Sequence, residues 1–187
     1  MSAKDRRKQI IDELVLVPER LPEHDTAERI EQLGEDIHSA VLEFRPAFAS
    51  ELPANLTGLV DVNPRTTFDR IAEMLCIRVE TVDWLDPSTL ALWVELAATI
   101  LLSRALRSLE RALMLAHELA HERFRRAPHR EVLYLTLALL LPRSLLAMLP
   151  PGRVITGMAL QRVCPWPVPI ELCEARAAMF RHAECAA

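Results

Sequence analysis

No two cysteines in this chain stand at CxxC spacing. Cys76, Cys164, Cys173 and Cys185 are widely separated, which excludes a cysteine zinc knuckle and gives no framework of disulfides. The opening residues, MSAKDRRKQIIDELVLVPER, lack the long apolar stretch of a secretory signal. The expected compartment is therefore reducing and cytoplasmic. Lysine is nearly absent: Lys4 and Lys8 are the only two among 22 basic residues. The wealth of Arg, Ala and Leu is a compositional bias without direct functional content. Positive charge is not in excess either, since 26 acids set the net charge at −4. A dedicated nucleic-acid binder is not expected from that balance. Internal repeats and low-complexity tracts are also missing.

What is present suits one globular domain with a small appendage. The chain has 187 residues, 51% of them hydrophobic, which is ample for a core. One run, VLYLTLALLLPRSLLAML at 132–149, is long enough to test as a membrane span. Pro142 and Arg143 cut it in the middle, so a buried core helix is expected and no membrane partner.

Apolar spacing predicts helices over 4–17 and from Asp25 or Thr26 through Leu42. Residues 46–64 read as loop, with a soft domain boundary: 1–62 a helical extension, 63–187 the main domain. Thr66 or Thr67 is expected to cap a third helix carrying Phe68, Ile71 and Leu75. Residues 76–84 alternate like a strand, and 90–96 with 97–103 suggest two more strands in a hairpin. Helices are then expected at 106–125, 129–141, 143–149, 153–163 and 168–182. The fold class is α+β, mostly helical, with a small, about three-stranded sheet. Trp84, Trp93 and Trp166 read as packing residues.

The chemistry concentrates in His117-Glu118-Leu119-Ala120-His121. Histidines four apart share a helix face, so both imidazoles can reach one metal ion. Glu118 is rotated about 100° from His117; there it can work on a water instead of binding the metal. Zinc lowers the pKa of a water it binds from about 15.7 toward about 7, and Glu118 can then act as general base and later as acid. Leu109, Leu113, Ala116, Ala120 and Phe124 keep the helix amphipathic through the motif, which puts the histidines at the border of a buried face.

A catalytic zinc needs a third protein ligand and an open position. The pattern with Gly and His three and six residues past the motif fails, because Phe124 and Ala127 stand there. Glu171, Glu174 and Glu184 are far along the chain. Glu131 is the expected ligand, at the start of the next helix, and His129 is its rival. Tyr134, the only tyrosine, lies three residues past Glu131 on the same helix face and is a candidate donor to an oxyanion. Arg176 and His182 are expected to pack or to face solvent. Arg123, Arg125, Arg126 and Arg130 read as a solvated face that also has the charge to guide an acidic segment.

RSLERALMLAHELAH (107–121) and EVLYLTLALLLPRSLL (131–146) together resemble the ImmA/IrrE family of zinc peptidases. The resemblance covers about 66–180. It implies a zincin-like domain with one Zn²⁺, and it makes the Glu of the second block, which falls on Glu131, the third zinc ligand. It also implies a narrow protein substrate: a DNA-binding transcriptional repressor, cleaved in a stress or mobile-element response. Ala120 replaces the family's usual Gly, and the spacer to Glu131 is shorter than usual. The alternative is a zinc-bound regulatory or interaction protein that does not cleave.

Overall fold

A computed structural model describes residues 8, 11–43, 64–86, 89–150, 152, 154–164 and 168–186. The predicted loop and boundary at 46–63 lie outside the described residues, as do Pro165 to Pro167. So do the side chains of Thr66, Thr67 and His182.

The class is α+β. A short helical stretch at 11–15 and a 3-10 turn at Val17–Arg20 precede α1 (His24–Glu43). Then come α2 (Pro64–Met74), β1 (Arg78–Val82), β2 (Ala91–Val94) and β3 (Thr99–Ser103). Next are α3 (Ser108–Arg123), α4 (His129–Leu140), a 3-10 segment (Arg143–Met148), α5 (Gly157–Val163) and α6 (Ile170–Ala186). The predicted helix at 143–149 is thus 3-10, and the final two helices begin two to four residues later than expected. Helix ends are the part of such patterns least fixed by spacing.

Three of the helix boundaries show a local cause. Helix α2 ends in a double closure: Cys76 N–H donates to Glu73 O at 2.9 Å and Ile77 N–H to Ala72 O at 2.8 Å. This closure needs a left-handed residue, and Cys76 takes φ 57°. Helix α3 opens with the Glu110 carboxylate accepting the Arg107 N–H at 2.9 Å, which satisfies a donor that helix geometry leaves open. At α5, the Thr156 hydroxyl accepts the Ala159 N–H.

The sheet order is β1-β3-β2. β3 runs parallel to β1, with Val79 opposite Ile100, and antiparallel to β2, with Trp93 opposite Ile100. The expected β2–β3 hairpin is present, joined through a 3-10 turn at Glu95–Ala97. β3 is the buried middle strand: Thr99, Ile100, Leu101 and Leu102 are all inside. Helix α3 packs against both β2 and β3, which places the histidine motif beside the sheet.

Helix α4 is the hub. Val132 through Leu140 are all buried, because α3 covers one side and α1 another. An added Cβ on Gly34 of α1 would stand 3.2 Å from the Ala138 Cβ of α4, so the small residue sets how closely those helices approach. His129–Met148 is long and apolar enough to cross a membrane by length and composition, and 67% of its apolar window is buried inside the fold. Leu14, Val17, Ile30 and Ile37 belong to the same hydrophobic cluster as Phe68, Leu119 and Leu137. The described part of the N-terminal segment therefore shares the core of residues 63–187.

Of the tryptophans expected to pack, Trp93 is half-buried against the core, but Trp84 is exposed. Cys173 is buried and its thiol is pushed up to about 12, by burial and by the neighbouring Cys164, Glu171 and Glu174. Cys76 is exposed.

Candidate active site

The site is built where α3 passes under β2. A cavity of about 710 Å³ opens there. One wall is β2 with its approach, Thr89 to Trp93; the other is α3, with Met114, His117, Glu118 and His121. β2 is an edge strand among the described residues, hydrogen-bonded to β3 alone. Arg111 ties α3 in place from behind: its guanidinium donates to Asp69 of α2 at 2.9 Å and to Thr81 of β1 at 3.0 Å.

His117 and His121 face each other as their spacing requires. Their Nε2 atoms are 3.2 Å apart. The tautomer of His117 follows from its other neighbour. The Thr136 hydroxyl of α4 donates its only proton to Val132 O at 2.8 Å. It can then only accept at His117 Nδ1, 3.3 Å away. His117 is therefore Nδ1–H, and its Nε2 lone pair is turned toward His121. In the metal-free protein the His121 Nε2–H donates across that gap. Burial, and then the neighbouring His129, lower the His121 pKa below its ordinary value, which favours the neutral ring that metal ligation uses.

These residues fit zinc. Two imidazoles bound tetrahedrally at about 2.0–2.1 Å have nitrogens about 3.4 Å apart, close to the observed spacing. Thr136 supplies the outer hydrogen bond that metal-binding histidines use to fix their rings. Glu118 lines the cavity beside them, half-buried. Among the described residues no three His, Cys, Asp or Glu groups already converge as a complete ligand set.

The remaining expected residues are distributed unevenly. His129 lines the cavity. Its ring centroid is 5.7 Å from that of His117 and 5.4 Å from that of His121. Glu131 is half-buried in the first turn of α4 and does not line the cavity. Tyr134, the candidate oxyanion donor, is 4% exposed, does not line the cavity and is bonded through its hydroxyl to Glu31 of α1, in a buried network on the far side of α4. Burial, and then the Glu31 charge, push that hydroxyl well above its ordinary value. Arg176 is in the same network and fully buried. Arg125 of the arginine cluster is occupied: it donates to Glu95 at 2.6 Å and to Glu122 at 3.0 Å.

Two cavity residues had no signal in the sequence. Glu13 comes from the N-terminal helical stretch and meets His129 Nε2 at 3.3 Å. Trp93 lines the cavity from β2, and its indole N–H is buried without a hydrogen-bond partner among the described residues. The alternation of 90–96 put Trp93 on one strand face but could not say which helix it would meet.

Comparison with protein-family models, with curated proteins and with solved structures finds no match to this chain in any of the three.

Proposed function

We propose that this chain is a zinc-dependent endopeptidase with a zincin-like domain. One observation carries the reading: two imidazole nitrogens stand 3.2 Å apart, one with its lone pair fixed by Thr136, beside a glutamate on the wall of an open cavity. The resemblance of 107–121 and 131–146 to ImmA/IrrE peptidases supports it.

His117 and His121 would hold the metal, with a third ligand from the start of α4, where both Glu131 and His129 lie. Zinc, when bound, supplies Lewis acidity and makes a water acidic enough to ionise near neutral pH. The chain's own residues do the rest. An extended peptide adds to the edge of β2 that pairs with no strand among the described residues, where backbone groups offer hydrogen bonds to any sequence. That places the scissile bond over Glu118. Glu118 takes the proton of the attacking water and passes it to the leaving amine. By the same resemblance the substrate is a DNA-binding transcriptional repressor in the cytoplasm, cleaved in a stress or mobile-element response. No nucleic acid or membrane need be bound directly.

The test is zinc content by elemental analysis together with hydrolysis of a quenched-fluorescent peptide library. The expected result is about one zinc per chain in the wild type and in Glu118→Gln, with the variant's hydrolysis down by about 10²–10⁴-fold. A wild type that is metal-free and cannot be reloaded removes the reading. Persistent cleavage by Glu118→Gln removes the proposed base. Zinc retained with no hydrolysis at all would favour the alternative of a regulatory protein.

A further inference from the structure

The rotation of α4 decides which residue at its start can reach the histidine pair. Residues two apart on a helix are about 200° apart around its axis, and residues seven apart are within about 20°. Thr136 meets His117, so its face of α4 is turned to α3. His129 is seven residues before Thr136 and shares that face. Glu131 is turned away, toward the side where α1 covers α4 through Gly34 and Ala138. The ring distances agree: His129 stands 5.4 Å from His121 and 5.7 Å from His117, centroid to centroid.

A second observation marks His129. Its Nε2 meets the Glu13 carboxylate at 3.3 Å. A carboxylate on one nitrogen of an imidazole fixes the tautomer and leaves the lone pair on the other. Here Nε2–H donates to Glu13, so the lone pair is on Nδ1. Glu13 is anchored by its neighbour Leu14, which is fully buried in the core.

We propose that His129 is the third metal ligand and that Glu13 is the residue that positions it. This rests on the zinc reading above and changes its ligand set. Three neutral imidazoles leave the metal one negative charge short of a two-histidine, one-carboxylate set, and the Glu13 carboxylate lies beside them. The N-terminal segment thereby becomes part of the centre.

The test uses the full chain, stripped with a chelator and titrated with Zn²⁺ alone against a chromophoric competitor. Co²⁺ loading adds a visible spectrum that reports the ligand set. The His129 side chain is 51% exposed, so His129→Ala is expected to fold, checked by circular dichroism. The expected results are a loss of zinc affinity on the order of 10²-fold or more for His129→Ala and no change for Glu131→Gln. For Glu13→Gln the expected loss is about 10-fold, with an unchanged metal-free Tm. The Co²⁺ spectrum should change in His129→Ala and not in Glu131→Gln. If Glu131→Gln loses zinc while His129→Ala keeps it, the inference fails and the zinc reading stands with Glu131. Full affinity in Glu13→Gln removes the positioning role. A wild type that takes up no zinc fails both.

Discussion

The two ends of α4 both carry polar clusters, and both clusters tie α4 to the N-terminal segment. At the first turn His129 meets Glu13, with both side chains partly exposed, and the cluster opens on a cavity. At the last turns Arg176 of α6 donates to both carboxylate oxygens of Glu31 and, from Nε at 2.8 Å, to Leu141 O. Nearby, the His38 Nε2–H donates to Leu139 O at 2.8 Å. Burial would raise the Glu31 carboxyl, but the charge and hydrogen bonds of Arg176, with a further bond to Tyr134, override it and hold the carboxyl below its ordinary value. The guanidinium also lies over the Phe180 ring at 4.2 Å. The dry cluster is closed, with its charges answered by protein. The wet cluster has lone pairs gathered at open space, which is the condition for holding a ligand.

The largest effect belongs to the dry end. Arg176→Ala leaves the Glu31 carboxylate buried and unpaired, and removing one partner of such a pair costs about 3–5 kcal/mol. Urea unfolding of the variant should show that loss, while zinc affinity of the folded protein stays at the wild-type level. Replacing both partners, with Arg176→Met and Glu31→Leu, should recover much of it, because the desolvation cost goes with the charges. A loss below about 1 kcal/mol for Arg176→Ala would mean that the network is not a staple.

The next effect belongs to the wet end and should show the reverse pattern. Thr136→Val keeps the shape of a fully buried side chain but removes the hydroxyl that fixes His117. Zinc affinity should fall by about 10–100-fold, with a stability cost of about 1 kcal/mol from the lost Thr136–His117 hydrogen bond. Unchanged affinity would show that the tautomer is set by something other than Thr136. The two variants together ask whether the ends of α4 are separable.

How much of this contrast was legible in the sequence depends on distance along the chain. His117, Glu118 and His121 could be read because one turn of helix decides their relation. The hairpin could be read because alternation and a central apolar run are local. Which residue at the start of α4 faces the histidine pair could not, since it depends on how α4 is rolled against α3. One trace of that roll was available: Thr136 lies seven residues past His129, so whatever meets one faces the other. The arithmetic that put Tyr134 on Glu131's face was sound, but it carried both away from the cavity. Glu13 left no trace, because its contact with His129 arises from packing across 116 residues. The Arg176–Glu31 pair is equally remote, 145 residues apart.

The smallest effect is a pH dependence at the dry end. Burial lowers the His38 pKa below 6.5, against an opposing bond to Leu139 and the charge of Glu35. Above 6.5 both folded and unfolded chains carry a neutral ring, and His38 adds no pH dependence. As pH falls below 6.5 the unfolded chain takes a proton that the folded chain refuses, so stability declines. The slope is at most about 1.4 kcal/mol per pH unit and ends at the folded pKa. Glu31 acts in the same direction lower down: its depressed carboxyl contributes above 4.5 and that contribution is lost as pH falls through its folded pKa. Urea unfolding of metal-free protein between pH 7.5 and 5.5 should therefore show a decline that is shallower in His38→Gln. His121, lowered by burial and by His129, contributes to both curves and leaves their difference to His38. Equal slopes would mean that the acid sensitivity in that window belongs to the wet end alone.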